Sequence, residues 1–198
     1  MGDLSVAAVF VDRDGVINEL VPDPLSRKPE SPLRARDVVL IAGAAAALRR
    51  LLAAGWTLVG VSNQPAAAKG RISLAELLGI QARVIELLLE QGVRFHDFRL
   101  CLHHPDGSVA ELTRRCDCRK PAPGMILDAA RQLGIDLARS WMIGDTDVDV
   151  LAGRAAGCHT ALIEHPGSAH KRCDDLAPDA VAADLGAAVD RLLQRSPR

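Results

Sequence analysis

The chain has 198 residues, which is long enough for one substantial hydrophobic core, and we expect a single domain spanning residues 1–198. Its formal net charge of −1, with no tyrosine, three phenylalanines and two tryptophans, argues against binding to nucleic acid or to a membrane surface. No stretch approaches the roughly 20 apolar residues of a membrane span. The first residues lack the features of a secretion signal, so we expect a cytoplasmic protein.

Strand-like and helix-like segments alternate along most of the chain. Short apolar runs predict strands at residues 6–11, 57–61, 98–102, 141–143 and 160–163. Amphipathic or alanine-rich stretches predict helices at residues 43–54, 73–91, 123–133, 148–156 and 182–193. Ser73 and Glu76 predict a capping box at the start of the second helix. This alternation is typical of an α/β fold, a three-layer, doubly wound parallel sheet with helices on both faces.

Two segments interrupt the alternation. Residues 21–36 contain four prolines, which predicts a flap loop without regular structure. Residues 101–118 enclose a polar stretch with neither helical nor strand periodicity. Neither segment is long enough to form a second domain, so we expect no large cap domain over the functional site.

Two carboxylates, Asp12 and Asp14, follow the first apolar run directly. Open α/β sheets bind ligands at the carboxyl ends of their strands, and Gly15 indicates a turn that lets both acids converge. Such a pair can work as a nucleophile and a proton carrier. The alternative is an ordinary Asp-Gly turn.

Further polar residues follow the second apolar strand and precede the third helix. Ser62 can offer its hydroxyl and N–H to a phosphate oxygen, and Asn63 can contact the ligand or position a neighbour. Lys120 lies just before a helix N-terminus, where a cation and the helix dipole both favour an anion, and Arg119 can grip a second anionic group. The alternatives are a local turn and a solvated Arg-Lys pair.

Three acids follow Gly144 at the end of another short strand: Asp145, Asp147 and Asp149. Clustered carboxylates beside a tight turn suit a hard cation such as Mg²⁺. The alternative is acidic capping of the following helix. Both can hold, with Asp145 as a metal ligand and the later acids orienting the loop.

A second metal pattern combines Cys101 and His103 with Cys116 and Cys118. Three thiolates and an imidazole form a complete tetrahedral set for Zn²⁺, and four protein ligands leave no open position for catalysis, so the zinc is expected to be structural. His104 is the competing imidazole. Five cysteines are an odd number and cluster unevenly, which favours metal binding over disulfides.

The order of these motifs, Asp-x-Asp, Ser, Lys and Gly-Asp-x-x-x-Asp, resembles the haloacid dehalogenase-like (HAD) superfamily of aspartate-nucleophile phosphotransferases. The resemblance implies that Asp12 attacks phosphorus and that Asp14 is the general acid and base. It also implies Mg²⁺ held by the Asp12 carboxylate, the Asp14 backbone carbonyl and Asp145, with Ser62 and Lys120 binding the phosphate. The expected substrate-binding residues are Arg13, Asn63 and Arg119.

The zinc-loop run from Cys101 to Pro121 and the stretch 12–18 are similar to the D-glycero-D-manno-heptose-1,7-bisphosphate phosphatase family. The implied activity is Mg²⁺-dependent removal of the 7-phosphate from that phosphorylated sugar. Histidinol-phosphate phosphatases share the zinc pattern with a shorter loop and are the alternative. A nucleic-acid 3′-phosphatase or a zinc-dependent binding module is disfavoured by the composition. A monomer is expected.

Three departures from the family pattern concern the substrate rather than the chemistry. Pro65 and Ala66 stand where the family has Ser-Gly, and Thr146 stands where it commonly has Lys. The proline-rich flap at residues 21–36 does not match the family well. These positions leave the sugar and its anomer open.

Overall fold

The computed structural model describes residues 6–173 and 175–195. The strands are β1 (Ala8–Val11), β2 (Val21–Pro22), β3 (Pro29–Glu30), β4 (Thr57–Asn63), β5 (Asp97–Cys101), β6 (Trp141–Gly144), β7 (His159–Ile163) and β8 (Ala180–Ala182). The helices are α1 (Ala44–Ala53), α2 (Leu74–Glu90), α3 (Gly124–Leu133), α4 (Asp147–Ala156) and α5 (Leu185–Arg195). The predicted alternation of strands and helices is confirmed.

Six strands form one parallel sheet in the order β5-β4-β1-β6-β7-β8. The central strand β1 is buried along its whole length and pairs with β4 on one side and β6 on the other, with Val9 opposite both Leu58 and Trp141. The chain order reverses across β1, so a crevice opens at the carboxyl ends of these three strands.

Alternate residues of β1 contribute to two separate cores, one on each face of the sheet. Val9 and Val11 pack with residues of α1, α2 and α5, whereas Ala8 and Phe10 pack with residues of α3 and α4. The period of two along the strand places the α layers above and below the sheet. The predicted three-layer, doubly wound fold is therefore confirmed.

Three details differ from the sequence prediction. The flap is not wholly irregular, because β2 and β3 pair as a short antiparallel hairpin. Strand β8 was not predicted, and the last helix begins at Leu185 rather than at residue 182. A three-residue strand that runs almost directly into a helix shows no distinct period of its own.

The predicted capping box at the start of α2 is present, with Ser73 accepting from the N–H of Glu76 and the Glu76 carboxylate accepting from Ser73. Within residues 6–173 and 175–195, none of the helices has both the length and the apolar character needed to cross a membrane.

Candidate active site

The candidate active site lies at the carboxyl edge of the sheet, where several chain segments line one cavity of about 600 Å³. Asp12 follows β1, Ser62 lies near the end of β4 and Asp145 follows β6. Lys120 comes from the segment that precedes α3. The structure therefore brings the four separate sequence motifs to one place, next to the reversal in strand order.

The buried ammonium group of Lys120 is the centre of the site. Its Nζ atom lies 2.5 Å from Asp149 Oδ1 and 2.8 Å from Asp12 Oδ1, and it donates to the Val61 carbonyl at 2.8 Å. Burial alone would lower the pKa of Lys120, but the carboxylates of Asp12 and Asp149 raise it above its ordinary value. Lys120 is therefore a permanent positive charge beside Asp12.

Asn63 holds the backbone of Lys120 from two sides. Its side-chain carbonyl accepts from the Lys120 N–H at 3.0 Å, and its amide donates to the Lys120 carbonyl at 3.0 Å. Asn63 also lines the cavity, but both ends of its amide are occupied by these hydrogen bonds. Its role in this structure is to position Lys120, which is the second of the two roles that the sequence left open.

Three carboxylates meet beside Lys120: oxygens of Asp12, Asp145 and Asp149 lie within 4.8 Å of one another. Asp149 is fully engaged, because Oδ1 pairs with Lys120 and Oδ2 accepts from the N–H and hydroxyl of Thr146 at 3.1 and 2.6 Å. By contrast, Oδ1 of Asp12 and Oδ1 of Asp145 are buried without a hydrogen bond. Asp12 Oδ1 contacts Lys120 as an ion pair without hydrogen-bond geometry. Buried oxygens of this kind fit a bound divalent cation.

The acidic cluster also carries unbalanced charge. Burial and the nearby Asp149 raise the pKa of Asp12 to about 6, although Lys120 opposes the shift. Burial, together with Asp12 and Asp149, raises the pKa of Asp145 well above its usual range, while a hydrogen bond from Ser168 opposes it. A cation bound between Asp12 and Asp145 would favour the ionised form of both.

The surroundings of Asp14 shift its pKa in the direction opposite to that of Asp12. Burial alone would raise the pKa of Asp14, but the Arg13 guanidinium and hydrogen bonds from Asn18, Gln64 and Ser31 lower it below its ordinary value. Arg13 donates to both carboxylate oxygens at 2.9 to 3.2 Å, Asn18 and Ser31 each donate at 2.9 Å and Gln64 donates at 2.6 Å. Asp14 is therefore held ionised and in one orientation in the free chain.

The structure corrects the prediction that Arg13 binds substrate. The Arg13 side chain is fully buried, is not among the residues lining the cavity and donates to Gln81 on α2 at 3.0 Å. Residues adjacent in a strand point to opposite faces, so Asp12 and Arg13 cannot both face the cavity. Arg13 acts through Asp14 instead.

Sequence reasoning gave no role to Gln64 or Ser31. Gln64 directly follows the Ser62-Asn63 motif, and that position was a usable signal; it also donates to Ser62 Oγ at 2.9 Å. Ser31 lies in the proline-rich flap, where no periodicity marks any residue. For Asp149, the alternative of acidic helix capping is confirmed, because Asp149 forms a capping box with Thr146.

Besides Arg71 and Lys171, two further cations line the cavity, Lys69 and Arg119. Arg119 donates to the His103 carbonyl at 3.4 Å. Neither side chain forms an ion pair with any carboxylate of the described residues. Both lower the pKa of His104 by their charge, after the larger effect of its partial burial. They therefore offer positive charge to a ligand away from the Lys120 centre.

The predicted zinc ligands form a second cluster beyond Arg119. The sulfur atoms of Cys101, Cys116 and Cys118 lie 3.2 to 3.6 Å apart, and His103 Nδ1 lies 3.3 Å from Cys118 Sγ. The sulfurs of a tetrahedral zinc site are separated by roughly 3.8 Å, so a small expansion admits the ion. His104 lies outside this set, because its Nδ1 accepts from the Asp106 N–H at 3.1 Å. The four side chains fit a tetrahedral metal with sulfur and nitrogen ligands.

Comparisons with known proteins agree with this site. A family model described as HAD-hydrolase-like matches residues 117–188. The D-glycero-beta-D-manno-heptose-1,7-bisphosphate 7-phosphatase of Yersinia pestis is 37% identical over 163 residues, which are 82% of each chain. The enzyme of that name from Pseudomonas aeruginosa is 34% identical over 96% of this chain and 100% of its own.

A solved structure extends the agreement to the fold. The D,D-heptose 1,7-bisphosphate phosphatase of B. bronchiseptica, complexed with magnesium and phosphate, superposes with a TM-score of 0.80 at 30% identity. The match covers 96% of this chain and 100% of that one.

The fold, the acidic cluster and these matches define a HAD-like phosphatase, an enzyme that hydrolyses phosphoric monoesters. Within that class, the chain belongs to the D-glycero-beta-D-manno-heptose-1,7-bisphosphate 7-phosphatase family. The resemblance seen in the sequence is confirmed at this level.

The raised pKa of Asp12 predicts a specific pH dependence of stability. Because the pKa rises from 3.8 to about 6 on folding, ionisation of Asp12 costs on the order of 3 kcal/mol of folding free energy. In EDTA this cost is absent below pH about 4, grows up to pH about 6 and is complete above it. We expect Asp12→Asn to match the parent near pH 4 and to be more stable at neutral pH, measured by urea denaturation.

The exposed acid Asp37 supplies the control, and Asp37→Asn should show no such pH-dependent gain. Added Mg²⁺ should stabilise the parent and leave Asp12→Asn nearly unchanged, because binding to the folded state stabilises it. A constant stability difference between parent and Asp12→Asn from acid to neutral pH would contradict the assigned environment of Asp12.

Proposed function

We propose that the protein removes the 7-phosphate from D-glycero-β-D-manno-heptose 1,7-bisphosphate through an aspartyl-phosphate intermediate. The observation that carries the proposal is the position of Asp12, which lies at the cavity floor between the Lys120 ammonium and Asp145, with Asp14 lining the same cavity. The names of its relatives supply the sugar.

The reacting phosphate is bound by residues that carry positive charge or donate hydrogen bonds. Lys120 and the Ser62 hydroxyl lie at the cavity floor and bind the non-bridging phosphate oxygens. Mg²⁺ would be held by the Asp12 carboxylate, the Asp14 backbone carbonyl and Asp145, as the buried oxygens of Asp12 and Asp145 that accept no hydrogen bond support. When bound, it offsets the repulsion between Asp12 and the phosphate.

The first half-reaction transfers the phosphoryl group to the protein. A carboxylate oxygen of Asp12 forms a bond to phosphorus while the bond between phosphorus and the sugar oxygen breaks. Asp14 gives its proton to that departing oxygen. Asp14 is ionised in the free chain, and the negative charge of the bound phosphate beside it raises its pKa, so that Asp14 takes up from solvent the proton that it then donates.

The second half-reaction returns the protein to its starting state. Asp14, now ionised, accepts a proton from water as the water oxygen attacks phosphorus. The acyl phosphate bond to Asp12 breaks and inorganic phosphate leaves. Arg13 holds Asp14 through both half-reactions, because its guanidinium bonds both carboxylate oxygens.

The free cations of the cavity favour a substrate with a second anionic group. Lys69 and Arg119 lie away from Lys120 and have no carboxylate partner among the described residues. They can bind the non-reacting phosphate of a sugar bisphosphate. Histidinol phosphate, the alternative, carries an ammonium group in place of a second phosphate, and these two cations would repel it.

Zinc is proposed as a structural ion at Cys101, His103, Cys116 and Cys118. The loop that it would order packs onto the cavity wall, because the N–H groups of Ser108 and Val109 donate to the Ala68 carbonyl at 2.8 and 3.1 Å. Gly107 passes so close to the same carbonyl that an added Cβ would lie 2.7 Å from it. The metal therefore supports the wall from which Lys69 projects.

Steady-state kinetics on heptose 1,7-bisphosphate, the corresponding monophosphates and histidinol phosphate test the substrate. We expect the bisphosphate to have the highest kcat/KM, dependence on added Mg²⁺, and release of the 7-phosphate. Asp12→Asn should reduce phosphate release to background without loss of the folded state, because the covalent route is removed. A preference for histidinol phosphate, or substantial turnover by Asp12→Asn, would contradict the proposal.

Removal of zinc by a thiol-competent chelator, followed by restoration of Mg²⁺, tests the structural metal. We expect release of one zinc ion per chain, together with a rise in KM for the bisphosphate that exceeds the fall in kcat. Cys116→Ser should reproduce this result, whereas Cys173→Ser, which alters an exposed cysteine outside the cluster, should not. Unchanged selectivity in the zinc-depleted protein would contradict the role.

A further inference from the structure

The flap hairpin, residues 21–30, is attached to the cavity wall by an ion pair. Asp23 lies at the end of β2, and its Oδ2 is 2.6 Å from a guanidinium nitrogen of Arg71. The Asp23 side chain is only 4% exposed, although the flap tip beside it is open to solvent, with Leu25 78% exposed. The buried Asp23 carboxylate therefore attaches the base of the hairpin to the cavity wall, while the tip stays exposed.

Both carboxylate oxygens of Asp23 have a polar partner. Oδ1 accepts from the N–H groups of Leu25 and Ser26 at 3.0 and 2.7 Å, which shapes the tip, while Oδ2 faces Arg71. The Ser26 N–H, and then Arg71, lower the pKa of Asp23 to about 2. The carboxylate is therefore charged across the working range of the enzyme.

Arg71 projects from a rigid part of the cavity wall. The N–H groups of Lys69 and Arg71 donate to the carbonyls of Pro65 and Ala66 at 2.9 Å each, so the segment is a closed turn. The zinc loop fixes the same turn through the Ala68 carbonyl. The hairpin has little rigidity of its own, because β2 and β3 pair over only two residues each.

A second ion pair holds the other strand of the hairpin. Lys171, from the segment Pro166–Lys171, lies 2.7 Å from Glu30, but both side chains are about one-third exposed or more. Arg71 and Lys171 both line the cavity, yet their charges are matched by flap carboxylates, unlike those of Lys69 and Arg119. Of these four cations that line the cavity, Arg71 and Lys171 bind the flap. Lys69 and Arg119 face the ligand.

We propose that the Asp23–Arg71 pair determines substrate specificity by holding the flap hairpin over the sugar-binding part of the cavity. Asp23 and Arg71 are positioning residues, and Arg71 is not a phosphate ligand. The hairpin brings Leu25 to the cavity and leads directly to Ser31, which bonds Asp14. The position of the flap therefore affects both the contact of Leu25 with the sugar and the hydrogen bond of Ser31 to Asp14.

Whether Asp23→Asn raises or lowers the KM for the bisphosphate distinguishes a positioning role of Arg71 from direct phosphate binding by Arg71. The proposal rests on the proposed function for its sugar substrate. If Arg71 positions the flap, Asp23→Asn and Arg71→Gln should each raise the KM for the bisphosphate about 5- to 10-fold, with a much smaller change in kcat. If Arg71 binds phosphate, Asp23→Asn frees it and lowers the KM instead.

A double-mutant cycle with a structural readout completes the test. The double variant Asp23→Asn/Arg71→Gln should be no worse than either single variant, because both remove one interaction. Trypsin should cut faster after Arg27 in all three variants and at the parental rate in Arg36→Gln, a control that removes an exposed ion pair just outside the hairpin.

The rates of trypsin cleavage do not depend on the substrate. They therefore report on the attachment of the flap even if the bisphosphate is not hydrolysed. Additive effects in the double variant, or parental cleavage rates in the single variants, would overturn the proposal. Failure of the parent protein to hydrolyse the bisphosphate, with faster cleavage in the variants, would overturn the proposed substrate and leave the flap attachment standing.

Discussion

The buried ammonium of Lys120 is the interaction on which the rest of the active site depends. An ion taken out of water is costly unless charged partners compensate it, and here Asp12 and Asp149 do so at 2.8 and 2.5 Å. Because Asp149 lies in the first turn of α4, Asp12 follows β1 and Asn63 in β4 holds the Lys120 backbone, one cation ties three elements together. The same contacts place the cation at the cavity, beside Asp12.

The charge balance in this cluster favours a divalent ion. Ionised Asp12, Asp145 and Asp149 carry three negative charges against the one positive charge of Lys120, which leaves two uncompensated. Burial and then the neighbouring carboxylates raise the pKa of Asp12 and of Asp145. Asp14, two residues from Asp12, has its pKa lowered by Arg13. The pKa values of two carboxylates on one turn are thus shifted in opposite directions by their surroundings.

Much of the fold and the site could be predicted because it depends on local pattern. Buried strands such as β1 give continuous apolar runs, their ends locate Asp12 and Asp145, and the spacing of cysteines and histidine marks the second cluster. What could not be predicted depends on long-range contacts. The Arg13–Gln81 contact could not be predicted because the two residues lie 68 positions apart, and neither the flap hairpin nor the Asp23–Arg71 contact has a periodic signal.

The most direct test of the central claim is to locate the phosphoryl group during turnover. The protein is mixed with excess sugar bisphosphate and Mg²⁺, quenched in acid within the first turnovers and digested, and the modified peptide is sequenced by mass spectrometry. We expect an acid-stable, base-labile phosphoryl group on Asp12 and on no other residue. A phosphoryl group on a different side chain, or burst-free turnover with no labelled peptide, would contradict the account.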